Sequence, residues 1–140
     1  MRRILFCLLF IVSSCSENPE NLLRHINGYW EIQEVILSDG TKREYSINET
    51  LDYIKIDENL KGFRKKMKPG LNDTYFTSED AEGISAKIEN NQLILQYTTP
   101  YANWNETVLS ASEETLKIVN DNNVVYLYKR YQPINLEFEE

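Results

Sequence analysis

The chain has 140 residues, which is enough for one domain of ordinary size but not for two. Hydrophobic residues make up 41% and charged residues 26%, and this balance excludes a disordered or fibrous chain. The 15 Lys and Arg residues against 22 Asp and Glu residues give a net charge of −7, so we expect no nucleic acid partner. One histidine and two cysteines leave little material for catalysis or metal binding. We therefore expect neither an enzyme nor a cofactor.

The first fifteen residues have the layout of a secretory signal. Met1–Arg3 is positively charged, and Ile4–Val12 is an unbroken apolar run. As a helix, these nine residues would cover only about 14 Å, too short to cross a hydrocarbon core of roughly 30 Å. Val12-Ser13-Ser14-Cys15 resembles the lipobox of bacterial lipoproteins, in which the cysteine is acylated and becomes the new N-terminus. The sequence therefore predicts a signal peptide over residues 1–14 and lipidation of Cys15.

An ordinary signal peptide, with Cys15 left as a thiol, is the alternative. Cys7 lies inside the apolar run and would be removed with it, so Cys15 would have no disulfide partner. Lipidation accounts for this unpaired cysteine. Cleavage would also remove Arg2 and Arg3, leaving 13 basic and 22 acidic residues and a net charge of −9. Residues 15–18 are predicted to be a tether, and the lipobox implies anchoring in the outer membrane, on its periplasmic face or at the cell surface.

A short helix is predicted over residues 19–26. Asn18 can cap it, Pro19 suits its first position, and Glu20 complements the helix dipole. Its apolar residues fall on one face: Leu22, Leu23 and Ile26. Asn27-Gly28 ends the helix.

After Gly28 the hydrophobic period changes to two, which is typical of strands. The first strand ends before the turn at Asp39-Gly40. The later predicted strands are Leu51–Asp57, Gly62–Met67, Thr74–Thr77, Ile84–Glu89, Gln92–Thr98, Asn103–Ala111, Thr115–Val119 and Val124–Tyr131. Turn-forming residues separate them about every ten residues. This spacing predicts an all-β antiparallel meander, closed into a barrel or folded as a sandwich, because closure removes exposed edges.

Four segments, taken in their order along the chain, resemble the small lipocalin-like lipoproteins of Bacteroidetes. They are Gly28–Ile32, Leu93–Thr98, Trp104–Thr107 and Tyr128–Tyr131. The resemblance implies an eight-stranded up-and-down lipocalin-like β-barrel with a short N-terminal helix, formed by residues 19–140. It also implies that Trp30 lies at the closed end of the barrel, where Arg130 stacks on its indole through a cation–π contact.

The resemblance also implies a ligand pocket. If Arg130 points into the barrel, Tyr126 and Tyr128 do so too, since alternate residues of a strand share a face. Tyr97 and Trp104, from the resembling segments, are further pocket candidates. The expected ligand is a small hydrophobic or amphipathic molecule, bound by a monomer. The alternative is a narrow barrel filled by its own side chains, which would serve as a protein-interaction module, either an envelope assembly accessory or an enzyme inhibitor.

A basic cluster is the most unusual local feature after the lipobox. It consists of Lys61, Arg64, Lys65, Lys66 and Lys68. It could hold an anionic headgroup, a fatty-acid carboxylate or a membrane surface by charge attraction. In a strand, however, its charges would divide between the two faces, and this favours a solvated edge strand that is protected by lysines.

The remaining polar residues give no pattern for catalysis or metal binding. His25 has no Ser or Cys nucleophile near it in sequence, so we expect a surface residue. Asp57-Glu58-Asn59 and Asp121-Asn122-Asn123 lack the spacing of a calcium loop and are interpreted as turns. Three acids could form a carboxylate pair only if they faced one cavity: Glu31, Glu34 and Glu106.

Overall fold

The computed structural model describes residues 17–133. The predicted signal peptide, Cys15 and the last seven residues of the predicted domain lie outside this range. The elements are α1 Pro19–Ile26, β1 Gly28–Ile36, β2 Lys42–Glu44, β3 Leu51–Ile56, β4 Lys61–Pro69, β5 Tyr75–Thr77, β6 Glu82–Glu89, β7 Gln92–Thr98, β8 Asn103–Ala111, β9 Thr115–Asn120 and β10 Val125–Arg130.

The helix begins and ends where the sequence predicts. Asn18 Oδ1 accepts a hydrogen bond from the Glu20 amide at 3.1 Å, which satisfies one of the free N–H groups of the first turn. Leu22 and Ile26 are buried. They pack α1 against β3, β7 and β8, so the helix covers one end of the sheet, which we call the closed end.

The sheet closes on itself. Eight strands follow one another with antiparallel pairing, in the order β1, β3, β4, β6, β7, β8, β9 and β10. The circle is completed by pairing of β10 with β1, from Trp30 with Arg130 to Ile36 with Val125. β2 and β5 are short additions that pair with β1 and β4. This arrangement confirms the predicted antiparallel barrel.

Local chemistry explains why most strands were predictable. The predicted bounds of β7 and β8 agree with the structure. The turn before β7 has Asn90 and Asn91 at φ values of 51° and 59°, a left-handed conformation that asparagine tolerates. β2 was not predicted, because its three residues are exposed and charged and show no apolar alternation.

The prediction that the basic cluster forms an edge strand is wrong. β4 is hydrogen-bonded to β3 from Gly62 to Met67, and on its other side to β6 and then β5. The predicted division of charge is nevertheless present. The Arg64 side chain is only 12% exposed, whereas Lys65 lies over the ring of Phe63 on the other face.

Trp30 occupies the centre of the closed end. Its side chain is fully buried, and its Nε1 donates a 2.7 Å hydrogen bond to the carbonyl of Ile26. The Arg130 guanidinium carbon lies 4.0 Å from the centroid of the Trp30 rings. Arg130 also donates to the carbonyls of His25 and Asn27. Trp30 and Arg130 therefore join α1 to the first and last strands, and side chains fill this end of the barrel.

Candidate ligand-binding site

Two adjoining cavities lie in the barrel beyond Trp30, away from α1. Their volumes are about 330 and 250 Å³, and they share the lining residues Asp52, Lys66, Tyr126 and Tyr128. We call them together the open-end recess. Its inner part reaches Trp30, and its outer part is bounded by loop residues 45–50. A wider cavity of about 710 Å³, lined by residues 78–82 and Tyr101, also shares Asp52 and Lys66.

Arg64 of β4 forms ion pairs with glutamates on two other strands. Its Nε donates to Glu82 Oε2 at 2.5 Å, and its Nη1 lies 3.4 Å from Glu106 Oε2. Its guanidinium carbon also lies 4.3 Å from the centroid of the Tyr97 ring. Burial alone would lower the pKa of Arg64, but the interactions with Tyr97, Glu106 and Glu82 outweigh it and raise the pKa above its ordinary value. Arg64 therefore stays protonated and supplies a permanent positive charge at the side of the recess.

A stack of planar groups supports this cation. Tyr97 and Trp104 are paired residues of β7 and β8, and their ring centroids are 5.2 Å apart with an angle of 6° between the planes. Trp104 Nε1 donates to Glu106 Oε1 at 3.4 Å. Tyr97 lies between Trp104 and Arg64 and is only 1% exposed. Burial raises the pKa of Tyr97 well above its usual value, so its phenol stays neutral.

A second ion pair lies across the neighbouring strands. Asp52 of β3 is the register partner of Lys66 of β4, and the Lys66 ammonium pairs with Asp52 Oδ1. Among residues 17–133, Asp52 Oδ1 accepts no hydrogen bond of normal geometry although it is buried. The ion pair with Lys66 is therefore what offsets the cost of burying this negatively charged oxygen. The Lys66 side chain is 65% exposed, whereas that of Asp52 is only 5% exposed. Burial, followed by the effect of Asp52, raises the pKa of Tyr128 well above its usual value.

The open-end recess thus offers two kinds of surface. Asp52, Lys66, Arg64 and Glu106 supply charged groups that can donate and accept hydrogen bonds. Aromatic and aliphatic groups supply apolar walls: Trp104, Tyr126, Tyr128, Ile32 and Val35. Such a combination suits a small molecule with a polar group and an apolar part.

The described residues contain no group of three or more His, Cys, Asp or Glu side chains that could hold a metal ion. His25 lies on α1, beside residues 112–114 at the closed end.

Three of the four predicted pocket residues line the recess: Trp104, Tyr126 and Tyr128. Tyr97 does not line it and is instead buried between Arg64 and Trp104. The possible carboxylate pair is not formed, because only Glu106 faces the recess. Glu31 and Glu34 instead form ion pairs with the lysines Lys129 and Lys42.

Sequence reasoning missed Asp52 and did not assign Arg64 to the site. Asp52 shares a strand face with Ile54 and Ile56, so a charged residue on an apolar face was the available signal. Arg64 carried no comparable signal, since it is one of several basic residues in a short stretch, with Lys61 before it and Lys65 and Lys66 after it. Only the pairing of β4 with β6 brings Arg64 to Glu82.

A closed eight-stranded antiparallel barrel, with a helix at one end and a recess near the other, has lipocalin-like architecture. The lipocalin-like domain family matches residues 26–118, more than half of the chain, and the chain belongs to this family. The crystal structure of a lipocalin-like protein from Bacteroides uniformis is similar, with 8% sequence identity and a TM-score of 0.47. The similarity covers 75% of this chain and 97% of that protein. No curated protein shows a significant match.

Within residues 17–133, no helix combines the length and the apolar character needed to cross a membrane.

Proposed function

We propose that the protein is a noncatalytic lipoprotein of the bacterial envelope that binds a small amphipathic ligand in the open-end recess. The observation that carries this proposal is the meeting of aromatic walls with two ion pairs in one recess. Apolar surface with a few converging polar groups is typical of small-molecule sites. Membership of the lipocalin-like domain family is consistent with such a role.

The proposed anchor is an acylated Cys15. Its support is the order of the N-terminal sequence, with a charged start, a short apolar run and a lipobox. The tether leads into Pro19, and α1 covers the closed end of the barrel. An anchor at Cys15 would therefore hold the protein from the closed end and leave the recess accessible.

Native mass spectrometry of the protein purified from its own envelope tests ligand binding. We expect a bound small molecule in the wild type, and its loss in a Trp104→Ala/Tyr126→Ala variant. Tyr131→Ala is the matched control, because Tyr131 is half-buried but lies outside the recess. If no molecule co-purifies, and no fatty acid or lysophospholipid raises the Tm, ligand binding is refuted and a protein-interaction module becomes the better explanation.

The anchor has a separate test. Cys15→Ser should abolish acylation and leave an unprocessed or soluble protein, whereas Ser16→Ala should be processed normally. Membrane fractionation and the intact mass of each variant measure this. An unchanged mass shift and unchanged fractionation in Cys15→Ser would refute lipidation at this residue.

A further inference from the structure

Five aromatic rings form a continuous run on the outside of the barrel. Tyr29 lies between Tyr53 and Tyr75, with ring centroids 4.5 and 4.3 Å away and nearly parallel planes. Phe63 continues the run at 5.8 Å from Tyr53, and Tyr131 at 6.5 Å from Tyr75. Burial by its neighbours raises the pKa of Tyr29, as does proximity to Tyr53, so the phenol is neutral at physiological pH.

Strand alternation fixes these rings on the exterior. Tyr29 precedes the buried Trp30, and Phe63 precedes Arg64, which faces the interior. Each of the five rings is only partly buried. Soluble domains rarely leave so many aromatic rings together on one outer wall without a partner.

Three lysines lie on the same outer wall. Lys65 Nζ is 5.4 Å from the centroid of the Phe63 ring, and Lys61 Nζ donates to Ser85 Oγ at 2.8 Å. Lys55 and Lys61 line an external groove of about 460 Å³, together with Tyr53 and Phe63. We call this surface, the five rings with Lys55, Lys61 and Lys65, the aromatic–lysine face.

The charge of these lysines is not neutralised locally. Within the described part of the chain, no carboxylate lies within 4 Å of the three ammonium groups, whereas Lys42, Lys87 and Lys129 each have a glutamate within that distance. Asp57 borders the groove, but its Oδ1 accepts hydrogen bonds from the amides of Asn59 and Lys61. An acidic domain thus concentrates unpaired cations beside its exterior aromatic rings.

Protection of a sheet edge does not explain these lysines as a group. β4 pairs with β3 on one side and with β6 and then β5 on the other, so among the three lysines only Lys65 lies at a gap in the pairing, between Arg64 and Met67. The aromatic–lysine face therefore needs an occupant that is both anionic and partly apolar.

We propose that the aromatic–lysine face docks on the anionic lipid surface of the membrane, an inference that rests on the proposed anchor at Cys15. Tyrosine rings favour the interface between headgroups and acyl chains, and lysines are attracted to anionic headgroups. Cys15 is four residues before Pro19, so an acylated Cys15 lies at most about 14 Å from the start of α1. α1 leads through Asn27 and Gly28 directly to Tyr29, and the Asn27 side chain bonds to the backbone of Ile56, next to Lys55, so part of the face lies at the end of the barrel that α1 covers.

Hydroxyl-radical footprinting of the full lipidated protein in vesicles tests the proposal. One set of vesicles contains phosphatidylethanolamine and phosphatidylglycerol, and the other contains only phosphatidylcholine. We expect oxidation of Tyr29, Tyr53 and Phe63 to fall several-fold in the anionic vesicles only, and to recover at high salt. Each lysine near an anionic surface should strengthen docking about fivefold. Oxidation of Tyr101, which is 96% exposed in a loop near the recess, should not change.

Two variants with equal loss of charge provide the control. Lys55→Gln/Lys61→Gln/Lys65→Gln should abolish the protection, whereas Lys42→Gln/Lys87→Gln/Lys129→Gln, at lysines that each have a glutamate partner, should retain it. Protection that is equal in neutral vesicles, or that appears without vesicles through self-association, would overturn the proposal. The mass of the N-terminal peptide reports acylation independently. A lipidated protein with an unprotected face would refute docking alone, and an unacylated protein would refute the anchor.

Discussion

Arg64 illustrates how one residue can determine the character of the barrel interior. It compensates Glu106, which is only 5% exposed, and packs on Tyr97 at the same time. Buried ion pairs contribute little net stability compared with apolar packing, but removing one partner leaves a costly isolated charge. The Arg64–Glu106 pair should therefore be tolerant of joint replacement and sensitive to single replacement.

Arg64→Met should lower the free energy of unfolding by about 3–5 kcal/mol, because Glu106 would stay buried without its cation. Adding Glu106→Gln should recover a large part of that loss. Urea denaturation of the wild type, both single variants and the double variant gives the coupling energy directly. A double variant that is no more stable than Arg64→Met would contradict the compensation described here.

The buried phenols predict a loss of stability at alkaline pH. Tyr97 and Tyr128 have folded-state pKa values above the unfolded value of about 10, so their contribution is complete below pH 10. Above that pH the unfolded state loses its protons first, and stability falls. Urea midpoints between about pH 9 and pH 11 should fall less steeply in Tyr128→Phe than in the wild type. Tyr101→Phe, a change in an exposed loop, should keep the wild-type slope.

At the scale of elements, β1 is the strand on which the barrel depends. It pairs with β3 near its start, with β2 near its end, and with β10 along most of its length. A bulge between Ile32 and Glu34 interrupts its register with β10. The change of partner from β3 to β2 leaves residues 45–50 beside the strand, where they bound the open-end recess.

The close approach of β3 and β4 gives an element-scale prediction. A Cβ atom on Gly62 would lie 1.8 Å from the backbone oxygen of Lys55, and the backbone cannot yield as a side chain can. Gly62→Ala should therefore lower the free energy of unfolding by about 3 kcal/mol or more, as overpacking does. Gly83→Ala in the adjacent β6 is the matched control, because its Cβ would meet only an ordinary contact at 3.5 Å. Equal stabilities of the two variants in urea would contradict this reading of the strand packing.

How much the sequence predicts depends on whether a feature is local. The helix and the long strands follow from capping residues, period-two alternation and turn residues, all of which act over a few positions. The place of β4 inside the sheet does not, since a strand rich in lysine looks the same in sequence whether it lies at a sheet edge or within a barrel wall. The residues of the recess likewise divide into those with a local sequence signal and those without one. Tyr126 and Tyr128 follow from alternation, whereas the contact of Arg64 with Glu82 and Glu106 depends on strand pairing that no local signal encodes.

At the scale of the whole molecule, the closed sheet and its single core predict cooperative unfolding. The buried cluster runs from Leu22 on α1 to Tyr128 on β10, so no part of the barrel has a core of its own. Tryptophan fluorescence and far-ultraviolet circular dichroism should therefore give the same urea midpoint. The fluorescence combines Trp30 at the closed end with Trp104 in the recess, so a midpoint that differs from that of circular dichroism would show that the barrel does not unfold in one step.

The pairing of β10 with β1 also determines the order in which the fold can form. Arg130 reaches the carbonyl of Asn27 across 103 residues of sequence, so the barrel cannot close before nearly the whole chain is available. Contacts so distant in sequence form late in folding, because closing the intervening loop costs conformational entropy. For the exported chain proposed here, β1 would leave the ribosome long before β10, its last partner, is synthesised. The topology itself would thus keep the polypeptide open enough to be threaded through a translocation channel, and closure would take place on the far side.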